Sequence, residues 1–428
     1  MHIAKPPRVL RHRDFRFLWF AQSASVIGDS LVLVALALFV VRLTGSATDL
    51  GLVLAAQSLP LVAFLLFGGV LADRLPRGRV MIATDLVRFA LHALLAVLIF
   101  SGEVRIWQVI AIELLFGSAE AFFRPAATGL LPDTVPEAEI QPATAITTTA
   151  ANVAEFAGPA LATALVLGVG AGWAFALDAA TFLLSAALLT QVRPRGRGIG
   201  TAPAAATTMW AEMRDGFAEV RARSWVWGTL AAFCAALFCG LAPWFVLGPV
   251  VARSQYGHIS VYGIVAAALG LGTIGGSLAG ISWRPRHPMR LAMFAIMIWP
   301  PASILYAAGV TLFVVIPVTV IAGVGIALFD VWWLTALAER IPPDKLSRVT
   351  SYDWMVSLAL LPLGYVLAGP LARELGAVEV LIGGSALAAV AFALGLLPRQ
   401  TRMLERLEGE PEPSAATEAP RRGAPYRA

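Results

Sequence analysis

Apolar runs of about twenty residues, broken by short polar loops, follow one another along nearly the whole chain. A helix of that length crosses the ~30 Å hydrocarbon layer of a bilayer. Unbroken Ala, Leu and Val runs lack the alternation of an outer-membrane strand, so the backbone must satisfy its own hydrogen bonds as helix. Composition agrees: 58% of the 428 residues are hydrophobic and 14% are charged, against about 25% charged in soluble domains. The chain reads as an all-α membrane protein with twelve transmembrane helices. The spans fall at roughly 17–41, 50–71, 80–100, 106–128, 143–167, 172–191, 226–251, 260–281, 290–308, 311–337, 350–372 and 378–397. Gly168-Val169-Gly170-Ala171-Gly172 divides one long apolar stretch, and Ala308-Gly309-Val310 divides another. The first run has full spanning length and is followed by further spans, so it reads as a membrane helix and not as a cleavable signal.

Loop charge orients this map. With the N-terminus in the cytoplasm, of 32 basic residues only Arg42, Arg105, Arg253 and Arg373 fall in outside loops. Both termini are therefore expected in the cytoplasm. The net charge of +5 is explained by topology and calls for no nucleic acid. The longest loop separates six spans from six, giving an N-terminal bundle at 1–191, a cytoplasmic linker at 192–225, a C-terminal bundle at 226–400 and a tail at 401–428. Trp210, Met213, Phe217 and Val220 share one face of a linker helix, which is expected to lie on the membrane surface. The Pro-, Glu-, Ala- and Arg-rich tail is expected to be disordered.

Several chemistries find no residues to carry them. Cys234 and Cys239 share one apolar run, which leaves no disulfide framework. The five histidines are scattered, with no pair at metal-ligand spacing, and no G-x-S-x-G elbow occurs. Lys5 and Lys345 are the only lysines, and neither follows a phosphate-cradling glycine loop. No catalytic residue, metal or cofactor is expected, and a membrane-embedded enzyme is the remote alternative.

The halves repeat weakly but in register. Gly68-Gly69-Val70-Leu71-Ala72 matches Gly275-Gly276-Ser277-Leu278-Ala279 at an offset of 207. Val135-Pro136-Glu137 matches Ile341-Pro342-Pro343 at 206, and Ala157-Gly158-Pro159 matches Ala368-Gly369-Pro370 at 211. Three matches in order predict two pseudo-symmetric six-helix bundles related by an axis along the membrane normal, with a site between them.

The loop after span two, Gly69-Val70-Leu71-Ala72-Asp73-Arg74-Leu75-Pro76-Arg77-Gly78-Arg79, resembles the G-x-L-A-D-R-x-x-R loop of the major facilitator superfamily. Phe17-Leu18-Trp19, Ser25-Val26-Ile27-Gly28, Thr44-Gly45-Ser46-Ala47 and Pro125-Ala126 before Leu130-Leu131-Pro132-Asp133 are similar to its macrolide efflux and enterobactin exporter branch. The resemblance covers about residues 10–400 and implies the major facilitator fold. It also implies that Gly69, Asp73, Arg74, Arg77 and Asp133 form a gating network that locks the outward-facing state. In the second half Gly280 stands where Asp73 stands in the first, so gating is expected to be asymmetric. Gly158-Pro159 is similar to the G-P-x-x-G-G antiporter motif, with Ala162 at a glycine position, and predicts a helix kink.

Ionisable groups at membrane depth are functional candidates by default. Asp29 lies in span one, Glu113 and Glu120 lie seven apart on span four with Arg124 beyond them, and Asp330 lies in span ten. The resemblance places spans one, four, seven and ten around the cavity, which puts Asp29, Glu113, Glu120, Arg124 and Asp330 on the proton and substrate path. Desolvation favours the neutral form of a carboxyl group and a nearby arginine favours the charged form, so such a group can load and release a proton as the cavity alternates. Glu120 and Arg124 also suit a structural ion pair. Glu155 and Asp178 rank lower as candidates, and Asp85 and Arg88 read as a snorkelling pair near the inner end of span three. Trp299, Phe329, Trp332, Trp333 and Trp354 suit packing or an interface belt better than an aromatic substrate wall.

Together these features imply a monomeric secondary transporter in a bacterial cytoplasmic membrane, whose partners are a small molecule, protons and the lipid bilayer. The cavity reads as sparse and apolar, which favours proton-driven export of an amphipathic compound such as a drug, macrolide or siderophore. A proton-coupled uptake symporter of the same fold is the alternative.

Overall fold

A computed structural model describes residues 8–136, 139–193, 209–283 and 285–405, and every regular element among them is helical. The first half contains α1 (Arg13–Thr44), α2 (Ala47–Arg74), α3 (Arg77–Ser101), α4 (Ile106–Leu130), α5 (Ile140–Gly168) and α6 (Ala171–Leu189). The linker helix is α7 (Met209–Ala222). The second half contains α8 (Ser224–Ala236), α9 (Ala242–Tyr256), α10 (Ser260–Ser282), α11 (Pro288–Ile296), α12 (Trp299–Ala307) and α13 (Leu312–Arg340). It ends with α14 (Pro343–Ala359), α15 (Leu361–Leu375), α16 (Ala377–Gly395) and the short α17 (Arg399–Met403). Eleven apolar segments are long enough to cross a bilayer, and the 29-residue α5 adds the shorter apolar stretch Ala157–Gly168.

Proline explains why three crossings of the second half are broken. A π-turn, Leu237–Leu241, joins α8 to α9 just before Pro243; Pro300 and Pro301 open α12; Pro362 opens α15. Each proline lacks the N–H that would bond four residues back, so the preceding turn rearranges. The uninterrupted α1 has no proline and ends at Gly45, whose φ of 66° only glycine adopts freely.

Glycine sets how closely the helices pack, as is usual where lipid supplies no hydrophobic drive between them. A Cβ on Gly117 of α4 would fall 1.9 Å from the Gln57 carbonyl oxygen of α2. In the second half a Cβ on Gly272 of α10 would fall 2.0 Å from the Val320 carbonyl oxygen of α13, and one on Gly323 2.1 Å from that of Leu269. The same pair of crossings is thus used in both bundles.

Glycines also seal the bundles together. A Cβ on Gly51 would lie 2.2 Å from the Tyr365 carbonyl oxygen, one on Gly369 2.4 Å from Thr48 Cα, and one on Gly263 2.2 Å from Thr163 Oγ1. Thr48 and Gly51 lie at the start of α2, Tyr365 and Gly369 in α15, Thr163 near the end of α5 and Gly263 near the start of α10. All sit at the end of the bundles away from the start of α1, so the halves close on that face.

The first helix of the second half, α8, begins at Ser224, two residues before the span expected from 226. In α7, Val220 is buried, whereas Phe217 is exposed with its ring 6.0 Å from that of Tyr352 in α14. The side chains of Trp210 and Met213, and residues 406–428 of the tail, lie outside the described residues.

Candidate functional site: a charged cavity and the cluster behind it

A cavity of about 560 Å³ is walled by the first half, with Leu358 the single lining residue from the second. On α1, Gln22, Ser25 and Asp29 follow one helical face, and on α4 Glu120, Arg124 and Thr128 do the same. Arg88 of α3, Thr147 and Ala151 of α5, and Leu358 from the second half complete the wall. Arg124 donates from Nε at 2.9 Å and from Nη2 at 2.6 Å to Glu120 Oε1. Val26, Phe123, Pro125 and Ala127 keep most of the lining apolar, and two carboxylates with two guanidinium groups add charge to it.

Behind that wall lies a denser cluster. On α3, Asp85, Arg88 and His92 recur at i, i+3 and i+7, opposite Asp178 and Ser185 of α6. Arg88, 1% exposed, donates from Nη2 to Asp85 Oδ1 at 2.5 Å, and its Nη1 stands 3.9 Å from Asp29 Oδ2. Its guanidinium lies over the rings of Phe123 and Phe182, 4.1 and 4.4 Å from their centroids. Carboxylates and aromatic faces together compensate the buried charge. Ser185 Oγ donates to Asp85 Oδ2 at 2.6 Å. Asp85 and Arg88 are therefore not a snorkelling pair; they are the charged centre of the first bundle.

His92 is enclosed completely. Its Nδ1 hydrogen-bonds Asp178 Oδ2, its Nε2 faces Glu113 Oε1 at 3.7 Å, and its ring stacks on Phe116 at 4.1 Å. Glu113 shares a helical stripe with Glu120, but it is fully buried against α3 and does not line the cavity. Asp178, a lower-ranked candidate from the sequence, thus stands beside His92, which metal-ligand spacing alone does not single out. The available signal was the polar stripe 85–88–92 facing the stripe 178–185.

The other candidates fall elsewhere. Asp330 is half-buried on α13 and is absent from the cavity lining. Arg77 Nη1 donates to the Gly129 carbonyl at 2.7 Å and lies 3.5 Å from Asp133 Oδ2, which joins α3 to the end of α4. Gly69, Asp73 and Arg74 close α2, but their surroundings, like the side chains of Glu155 and Trp354, lie outside the described residues. At Gly280 a Cβ would meet Val331 at 3.1 Å, so α13 leaves little space for a carboxylate there. Gly158 brings α5 onto α1, with a Cβ falling 2.3 Å from Ser30 Cβ, and Pro159 follows within the continuous α5. Trp299, Phe329, Trp332 and Trp333 are buried core of the second half, where Trp333 Nε1 donates to Asp353 Oδ2 at 3.0 Å. Among the described residues no group of three or more His, Cys, Asp or Glu is disposed to hold a metal ion.

The family described as transmembrane secretion effector matches residues 6–421. The chain belongs to this family of major facilitator transporters. Macrolide efflux protein A of Streptococcus pyogenes is 24% identical over 370 residues, covering 85% of this chain and 90% of that protein. The uncharacterized MFS-type transporter y4rN of Sinorhizobium fredii is 28% identical over 306 residues, 68% of this chain and 72% of that one. Among solved structures, a bacterial homolog of the human lysosomal transporter Spinster, inward-facing and unoccupied, superposes with a TM-score of 0.70 at 16% identity. That match covers 94% of this chain and 100% of the other. The nucleoside transporter NupG gives 0.69 at 13% identity, covering 90% and 98%. These likenesses establish the two-bundle transporter fold, and the chain is a multi-pass membrane transporter.

Proposed function

We propose that the protein exports a small amphipathic molecule across the bacterial cytoplasmic membrane by alternating access, driven by inward movement of protons. The observation that carries this reading is the cavity: about 560 Å³, lined by the first half and touched by Leu358 of the second, with Asp29, Glu120, Arg88 and Arg124 on its wall. Most of its lining residues lie at mid-helix or nearer the start of α1, while the close glycine contacts lie at the opposite end. With both termini in the cytoplasm, the orientation the loop charges favour, the cavity reads as open to the inside and able to take up cargo there. The efflux protein similar over most of this chain supports the outward direction.

The proposed machinery is a monomer of two bundles, 1–191 and 226–400, and alternates by rocking of one against the other. Twelve crossings put both termini on one face. Asp29, Glu113, Glu120, Arg124 and Asp330 are the proton and substrate candidates. Arg77 and Asp133, with Gly69, Asp73 and Arg74, brace the inner ends of α2, α3 and α4, and Gly158-Pro159 shapes α5 beside α1.

A second reading, proton-coupled uptake, draws on the polar wall, since dense arginine and carboxylate groups suit a hydrophilic substrate. One assay separates them. Inverted vesicles with an imposed pH gradient, screened against macrolides, siderophores and lipophilic cations, should accumulate an exported compound, and an uncoupler should abolish it. Gradient-driven accumulation confined to right-side-out vesicles would replace export with uptake.

A further inference from the structure

The His92 cluster stands behind the cavity, out of a substrate's reach, and is far from saturated with hydrogen bonds. Four helices enclose it: α1 brings Gly28 and Asp29, α3 brings Asp85, Arg88 and His92, α4 brings Glu113 and Glu120, and α6 brings Asp178 and Ser185. Glu113, His92 and Asp178 are all 0% exposed. Yet both Glu113 carboxyl oxygens, His92 Nε2 and Asp178 Oδ1 have no hydrogen-bond partner among the described residues.

The arrangement constrains its own protons. A neutral imidazole has one N–H, and here it stands between two carboxyl groups. Whichever tautomer it adopts, it can serve only one of them. With Nδ1–H donated to Asp178 Oδ2, a second proton in the cluster sits on Glu113 or on His92 Nε2, and without it Glu113 stands as a bare buried anion. The 3.7 Å gap from Nε2 to Glu113 Oε1 exceeds a hydrogen bond by about one ångström, which a small slide of α4 against α3 closes.

The fold itself does not require this chemistry. In chain order, α12 and α16 of the second half are the counterparts of α3 and α6. There Ser385 Oγ simply donates to Ser303 Oγ at 2.8 Å, and Trp299 packs on Gly240 much as Asp178 packs on Gly28. The second bundle closes the same crossing without charge.

We propose that Glu113, His92 and Asp178 hold the coupling proton inside the first bundle, and that it enters and leaves through Asp178 and Asp29. This deepens the proton-driven reading above and rests on it. On release, the Glu113 O–H bond breaks as His92 Nε2–H forms, giving an imidazolium between two carboxylates. The imidazolium passes its Nδ1 proton to Asp178 Oδ2, and Asp178 yields a proton to Asp29 and to water in the cavity. Asp178 Oδ1 lies against the bare Cα of Gly28, where a Cβ would fall 2.1 Å away, and Asp29 is the next residue. Reloading runs the same steps backwards when Asp29 faces the other side. Without the proton one buried carboxylate is stranded, so this packing is held only by the loaded state, and that is the coupling.

Two measurements on purified full-length protein in proteoliposomes test this. The first needs no substrate: an infrared pH titration should show the carbonyl stretch of a protonated carboxyl group that Glu113→Gln removes. Persistence of the whole band in Glu113→Gln would overturn the proposal. The second uses erythromycin as the probe: Glu113→Gln and Asp178→Asn should lose gradient-driven accumulation while equilibrium exchange stays within about twofold. Ser385→Ala, at the neutral counterpart, should retain both. Gradient-driven accumulation surviving in Glu113→Gln and Asp178→Asn would equally overturn it. Should Glu113→Gln not fold, His92→Gln decides by infrared, since loss of the imidazole must change the group's proton affinity by at least about tenfold. If no compound is exported at all, the export reading falls, and the infrared titration still reports on the buried proton.

Discussion

Gly369→Val should open the face on which the bundles meet. Around Gly369 a Cβ would lie 2.4 Å from Thr48 Cα, 2.5 Å from its Oγ1 and 2.7 Å from its backbone nitrogen. Two of these atoms are backbone of the first turn of α2, so no rotamer change relieves the clash. Carbon contacts relax near 3.5 Å, so α2 and α15 must part by about an ångström. Overpacking of this kind costs about 1–3 kcal/mol. The strain exists only where α2 meets α15, so it acts on one conformation alone, and the ratio of the two states should shift by about 5- to 150-fold. Gly51 against the Tyr365 carbonyl lies on the same seam, so parting at one contact loosens the other. The assay is a pair of spin labels at Ser46 and Leu375, in a background with Cys234 and Cys239 replaced by serine. The distance distribution should lengthen in Gly369→Val and less in Gly369→Ala. An unchanged distribution in folded protein would refute the claim that this seam sets the observed state.

Three further outcomes follow from the same geometry. Glu120→Gln keeps the shape of the cavity wall but removes the charge paired with Arg124, so it should raise the half-saturating substrate concentration by about tenfold, the worth of one charged hydrogen bond, without loss of gradient dependence. Ser303→Ala strands the buried Ser385 hydroxyl and should lower unfolding stability in detergent by about 1 kcal/mol, and adding Ser385→Ala should cost less than the sum of the two single changes. Arg77→Ala removes the bond to the Gly129 carbonyl and the partly exposed pair with Asp133, worth together about 1 kcal/mol, and should increase thiol labelling at a cysteine introduced at Thr128.

Much of this fold was legible because the bilayer enforces it. Apolar length predicts the crossings within a few residues: 17–41 became Arg13–Thr44, and 172–191 became Ala171–Leu189. The helix breaks were harder to read. Pro243, Pro300 and Pro362 were visible, but whether a proline kinks a helix or ends it depends on what its neighbours can bond. The cavity wall was half legible. Asp29, Glu120 and Arg124 line it, whereas Glu113 does not, although it shares a helical stripe with Glu120. Periodicity gives the face of a helix and not what closes over it. The His92 cluster was not legible as a unit for a related reason: its polar stripes lie on separate helices, and only the pairing of α3 with α6 brings them together.

That pairing also explains how one repeat can be both conserved in shape and divided in chemistry. Both halves need a small residue where the first crossing of the bundle passes the last, and Gly28 and Gly240 supply it. What packs into the space is then free to differ: a carboxylate with imidazole and guanidinium neighbours in one half, two serines and a tryptophan in the other. Charge buried in the first half can change its energy with protonation, whereas Trp299, Ser303 and Ser385 carry no titratable group into the matching contact of α12 with α16. A rocking machine needs one bundle that responds and one that gives it something rigid to move against. If that division of labour is right, introducing charge at Ser385 should damage stability without creating pH dependence, because no cavity carboxylate stands beside Gly240 to receive a proton as Asp29 does beside Gly28.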